Sequence, residues 1–124
     1  MKLAAVRLWV HRLDRAIDFY GQRLGLALKV DGRPLGWCVF ALDGVDLVVE
    51  CVDADAPEDE QALVGRQTGL ALAVADIRSE QDRLSARGVP FVAAPELQAW
   101  GGWLSGFEDP DGNELQLVQY PGPR

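Results

Sequence analysis

Tryptophans and carboxylates are the side chains with the most chemistry to offer in this chain. Four tryptophans stand against two tyrosines in 124 residues. An indole gives a broad flat surface for stacking and attracts cations through its ring face. Trp9, Trp37, Trp100 and Trp103 are therefore candidates for a ligand platform. Asp46, Glu50 and Glu114 fall in strand-like stretches, with Arg7 and Gln116 in the same kind of pattern. A carboxylate beside an indole favours a cationic or polyhydroxylated partner. Other chemistries are limited by residue type. The single histidine, His11, lies where a helix is expected to begin and reads as a surface residue. Cys38 and Cys51 lack metal-ligand spacing and are too few for a disulfide scaffold, so reduced, mostly buried thiols are expected. Oxygen-only Mg²⁺ binding would require Asp46, Glu50 and Glu114 to converge.

These residues need elements to hold them. Alternation over residues 3–10 predicts a strand with Val6, Leu8 and Val10 on one face and Ala5, Arg7 and Trp9 on the other. Leu13, Ala16, Ile17, Tyr20 and Leu24 are spaced as the apolar stripe of a helix that covers the first of those faces. Gly25 sits at the expected C-terminal cap. Strands follow at 26–30, 37–42 and 46–51, with a turn at 31–34. In the last of these, Leu47, Val49 and Cys51 share the core parity, and Asp46, Val48 and Glu50 face the other way. Residues 52–68 are acidic, contain proline and show no periodicity, which predicts a linker with one helical turn.

The order then restarts. A strand at 69–74 places Leu70, Leu72 and Val74 opposite Gly69, Ala71 and Ala73. Asp76 is a predicted N-cap for a helix to about residue 87, with Gly88 beyond its end. A strand at 89–93 and a loop at 94–100 precede a hairpin over 101–119. Its turn, Asp109-Pro110-Asp111-Gly112-Asn113, contains the Asp-Gly pair that tolerates positive φ. A Gly-Trp, strand, Asp-Gly, strand order thus occurs twice, first from Gly36-Trp37 through Asp43-Gly44. The reading is strand-helix-strand-strand-strand, repeated: module one at 3–51, an acidic linker at 52–68 and module two at 69–120.

Composition fits one globular domain spanning 1–124, with 48% hydrophobic and 25% charged residues. No apolar run is long enough to cross a bilayer, and the first residues lack a signal-peptide pattern, so a cytoplasmic protein is expected. Net charge is -7 with scattered arginines. No basic stripe is present for nucleic acid, and neither nucleic acid nor membrane is an expected partner. An acidic surface suits a cationic ligand.

The chain resembles the vicinal oxygen chelate superfamily of glyoxalase I, extradiol dioxygenases and the fosfomycin and bleomycin resistance proteins. The residues that carry the resemblance are Arg15-Ala16-Ile17-Asp18-Phe19-Tyr20, Leu24-Gly25-Leu26, Val74-Ala75-Asp76-Ile77, Gly88-Val89 and the Asp109-to-Asn113 turn. The resemblance implies an α+β fold in which two tandem βαβββ modules form a curled mixed sheet around a cleft. Arg7, Trp9, Asp46, Glu50, Glu114 and Gln116 would then line that cleft, with Trp37, Trp100 and Trp103 on or beside the third strands of the two modules as further ligand-binding candidates. Metal-binding relatives carry ligands, commonly His and Glu, at positions that fall here on Ala5, Val48, Gly69 and Gln116, with Glu50 reached only by a two-residue shift. Ala, Gly and Val carry no ligand atom, and a catalytic zinc normally has three protein ligands. No metal or other cofactor is therefore expected. Two functions follow from the resemblance. The first is metal-free binding of a small organic or drug-like ligand, a cationic one included, by a homodimer of the bleomycin resistance type. The alternative is a glyoxalase-type lyase or isomerase acting on a small α-hydroxy carbonyl or thiol adduct. It would use a divalent metal, or Glu50 as a base with a pKa raised by a partly apolar cleft.

Overall fold

The computed structural model describes residues 1–122. The chain runs through β1 (Ala5–Val10), α1 (Leu13–Ala16), β2 (Ala27–Gly32), β3 (Trp37–Leu42), β4 (Val45–Cys51) and α2 (Glu58–Gln61). It continues through β5 (Gln67–Ala73), α3 (Ile77–Ala86), β6 (Glu96–Leu97), β7 (Trp103–Glu108) and β8 (Glu114–Gln119). The strands form two four-stranded sheets, ordered β1-β4-β3-β2 and β5-β8-β7-β6. In each sheet the first strand pairs parallel with the last, and the remaining pairs are antiparallel. One βαβββ topology is thus built twice.

Parity explains which faces are covered. Leu8, Val10, Phe40, Leu47 and Val49 of sheet one are buried, as are Phe107, Leu115 and Leu117 of sheet two, and all belong to one apolar cluster. The first helix joins the two sheets. Tyr20 packs 5.9 Å from Phe40 and Phe19 packs 6.3 Å from Phe107, ring centre to ring centre. Burying each such side chain contributes about 1.5–3 kcal/mol relative to leaving it in water. Being packed against both sheets accounts for Phe19, which lies outside the stripe that a single covered face would give. α1 also runs without a break into a π-helical stretch, Ile17–Arg23, closed by Leu24 N donating to Phe19 O at 2.8 Å. That wider turn shifts the buried positions away from a strict 3.6 period.

Asp76 caps α3, its Oδ1 accepting from Ser79 N at 3.2 Å and its Oδ2 from Ser79 Oγ at 2.9 Å. Gly88, with φ +90°, follows the helix as expected. Several boundaries differ from the sequence reading. β2 extends to Gly32, into the stretch read as a turn, and β5 begins at Gln67, within the stretch read as linker. The strand expected at 89–93 is reduced to a single bridge, Phe91 to Phe107, and β6 forms instead inside the expected loop. Pro90 and Pro95 bracket that segment and have no N–H to give a ladder.

Candidate functional site

Each sheet has one face turned away from the helices. On sheet one, Trp9, Glu50 and Trp37 stand side by side in register across three strands. Arg7, Val48 and Val39 form the next row, and Ala5, Asp46 and Ala41 the one after. Glu50 is held at both oxygens: Arg7 Nη1 donates to Oε1, and Trp9 Nε1 donates to Oε2 at 3.1 Å. Its side chain is still 34% exposed. Asp46 accepts from Lys29 Nζ at 2.9 Å. Lys29 can reach it because β2 carries a bulge between Leu28 and Val30. Gly32 seats the Trp37 indole, since a Cβ there would lie 2.9 Å from the ring.

On sheet two, Gln67, Glu114 and Glu108 share a row, followed by Ala71, Gln116 and Gly106, then Ala73, Val118 and Leu104. Glu96 stands opposite Leu104. Glu96, Glu108 and Glu114 make no ion pair among the described residues. The floor of this face is low at Gly106, which supplies no side chain. A hollow of about 420 Å³ lies over it, bounded by Gln67, Val92, Glu96, Glu114 and Gln116. A second hollow, about 690 Å³, opens at the Trp37 and Glu50 end of sheet one beneath Arg33 to Gly36. The two have no lining residue in common.

The residues of this chain do not fit a divalent metal. Ala5, Val48 and Gly69, where the resemblance would put ligands, carry no donor atom. Asp46 and Glu50 are four residues apart on β4, roughly 13 Å at the rise of a strand, and Gln116 belongs to the other sheet. Both carboxylates are already taken by cations. Among the described residues, no three His, Cys, Asp or Glu side chains gather where they could hold a metal ion.

Two tryptophans of the expected ligand platform stand outside the open-face rows. Trp103 is opposite Gln119 and shares the face of Ser105 and Phe107, so it points toward the helices. The Arg78 guanidinium of α3 lies over its ring at 5.1 Å. The signal was present in the sequence, since 103, 105 and 107 have one parity and Phe107 belongs to the core. Trp100 is 51% exposed in the turn before β7, lies across Gly102 and packs 6.1 Å from Tyr120. It stands in none of the rows above. His11 is exposed, with Nδ1 3.0 Å from Val52 O. Lys29, Gly32, Glu96 and Glu108 were not singled out from the sequence. Pairing back from the Arg33-to-Gly36 connection places Gly32 opposite Trp37, but no local pattern announces the bulge that presents Lys29.

The same fold occurs in known proteins. Residues 2–117 match the family model of the Glyoxalase/Bleomycin resistance protein/Dioxygenase superfamily. The chain belongs to that superfamily. It is 30% identical over 116 residues to the bleomycin resistance protein of Klebsiella pneumoniae, matching 86% of this chain and 82% of that protein. A superfamily member from Sphaerobacter thermophilus DSM 20745 has a crystal structure similar to this one, with TM-score 0.79 and 28% identity, covering 97% of this chain and 98% of that one. The antibiotic binding protein TnmS3 from Streptomyces sp. CB03234 is similar at TM-score 0.77 and 28% identity, over 98% and 97% of the two chains. Within this superfamily, the present chain keeps the fold. No helix among the described residues is long and apolar enough to cross a membrane.

Proposed function

We propose that the protein binds a small organic, drug-like ligand, a cationic one included, without a metal, in a cleft completed by a second copy of the chain. The observation that carries this reading is the Trp9–Glu50–Trp37 row. Two indoles flank a carboxylate held by Arg7 and Trp9, an arrangement suited to stacking a planar group and accepting from its polar substituents. Glu96 and Glu114, which border the hollow on the other open face and make no ion pair among the described residues, support a cationic ligand. Resemblance to a bleomycin resistance protein and an antibiotic binding protein supports a drug-like one. Two shallow hollows with separate linings support a homodimer, because a second copy can close each open face with the other. Holding such a ligand without turnover amounts to sequestration, the basis of a resistance role.

The lyase or isomerase alternative has less support. Glu50 has both oxygens engaged, so acting as a base would require release of Arg7 or Trp9 first. Tryptophan fluorescence and thermal shift, with bleomycin as probe, test the binding reading. Saturable quenching and a raised Tm are expected, both weakened in Trp37→Ala and Glu50→Gln, together with a dimeric mass in sedimentation. A stabilising probe acts through preferential binding to the folded state. Stoichiometric nickel or zinc that confers turnover of a hemithioacetal would overturn the reading.

A further inference from the structure

β1 is an outer strand of sheet one, so one of its edges has backbone groups that no neighbouring strand of that sheet takes. Two of these groups are taken by side chains from the turn between β7 and β8. Asn113 Nδ2 donates to Trp9 O at 2.8 Å, and His11 N donates to Asp111 Oδ1 at 3.2 Å. Groups two residues apart on one edge are spaced like successive ladder positions. Val64 forms a parallel bridge with Trp9 on the same edge, so residue 64 and the turn of module two together take the place of a strand beside β1.

The turn is itself held firmly. Asp109 Oδ1 accepts from Asp111 N and Asn113 N, each at 2.9 Å. Its Oδ2 accepts from Asn113 Nδ2 at 2.9 Å and from Tyr20 OH at 2.7 Å. Gly65 N donates to Asn113 Oδ1 at 2.9 Å. Tyr20, Asp109 and Asn113 are all buried. Asp111 behaves differently: its Oδ2 is buried without a partner. A buried, unpartnered carboxylate oxygen costs stability. What Asp111 contributes in return is the hold on His11, two residues from Trp9.

We infer that Asn113 and Asp111, oriented by Asp109, are positioning residues that set where Trp9, and with it Glu50, stands on the open face. The ligand-binding consequence rests on the proposed function; the placement of Trp9 does not. The test uses ¹⁵N–¹H spectra of the full chain, with the Trp9 indole signal identified by its loss in Trp9→Phe. Asp111→Ala is expected to shift or broaden that signal and to speed exchange of the His11 amide by about tenfold or more, the scale of one lost hydrogen bond to a charged group. Amides in β3 are expected to keep wild-type rates. Asp111→Asn retains the Oδ1 acceptor and restores both readouts. Asn113→Ala produces a larger change at Trp9; where it fails to fold, the two Asp111 variants decide. A folded Asp111→Ala with an unchanged Trp9 signal and His11 exchange, or an Asp111→Asn that restores neither, overturns the inference. Bleomycin titration separates it from the proposed function. Weaker binding to Asp111→Ala than to wild type supports positioning, and equal binding overturns its ligand consequence. Absence of binding to wild type overturns the proposed ligand class, while the Trp9 readout still decides the placement.

Discussion

Replacing Tyr20 with phenylalanine removes one oxygen and leaves the packing in place. The ring keeps its edge-on contact with Phe19 at 5.0 Å and its contact with Phe40 at 5.9 Å. What is lost is the 2.7 Å bond from Tyr20 OH to Asp109 Oδ2, between a residue with no exposure and one that is 4% exposed. Water cannot replace the donor there. A buried hydrogen bond to a charged group contributes about 1.5–3 kcal/mol, against about 0.5–1.5 for a neutral pair. At the size of this chain, the charged figure corresponds to a fall in Tm of about 5–12 °C. The cost also depends on pH. Burial pushes the Asp109 carboxyl up, opposed by its bonds from Asn113 and Tyr20. A carboxyl raised in the fold contributes stability that is complete below its unfolded value, about 3.9, and that is lost as pH rises through the folded value. Removing the Tyr20 donor raises the folded value further, so the Tyr20→Phe penalty is smallest near pH 4 and grows above it. Urea denaturation of both proteins at intervals from pH 4 to pH 9 measures this difference directly. A penalty that is flat across that range, or below about 0.5 kcal/mol throughout, would refute the reasoning.

Three further outcomes are expected. Gly32→Ala places a Cβ 2.7 Å from Trp37 O and 2.9 Å from its indole, so it should cost about 1–3 kcal/mol and change the Trp37 emission, read by denaturation and fluorescence. Asp76→Ala removes the α3 cap. Bonds from Ser79 hold the Asp76 carboxyl below its usual range, so that stability is present above about pH 3.9 and lost as pH falls through the folded value. The Tm gap to wild type should accordingly close on acidification. Phe107→Ala opens a cavity where both sheets meet the first helix, and should cost about 3–5 kcal/mol in urea denaturation.

The repeat was legible because each of its signals is local. Alternation marked both faces of β1, β4 and β5, the Asp-Gly turns marked the hairpins, and Asp76 and Gly88 marked the ends of α3. The resemblance was carried by similarly short segments. The Trp9 and Glu50 faces also followed from parity alone. Parity continued back from Phe107 gives the face on which Trp103 stands.

The remaining features depend on long-range placement. Phe19 is buried because the first helix touches a sheet about ninety residues away in the chain, and no helical stripe encodes that second surface. The pairing of Lys29 with Asp46 depends on a bulge, and a one-residue insertion in a strand leaves no periodic signature. The Asp109-to-Asn113 turn shows the division most plainly. Its sequence determined a tight turn with positive φ at Gly112, because that conformation is set by a few adjacent residues. That its side chains would take the free edge of β1, and so join the two modules beside the candidate ligand wall, was decided by the tertiary structure, because an unpaired backbone edge acquires a partner only when the chain has folded back upon it.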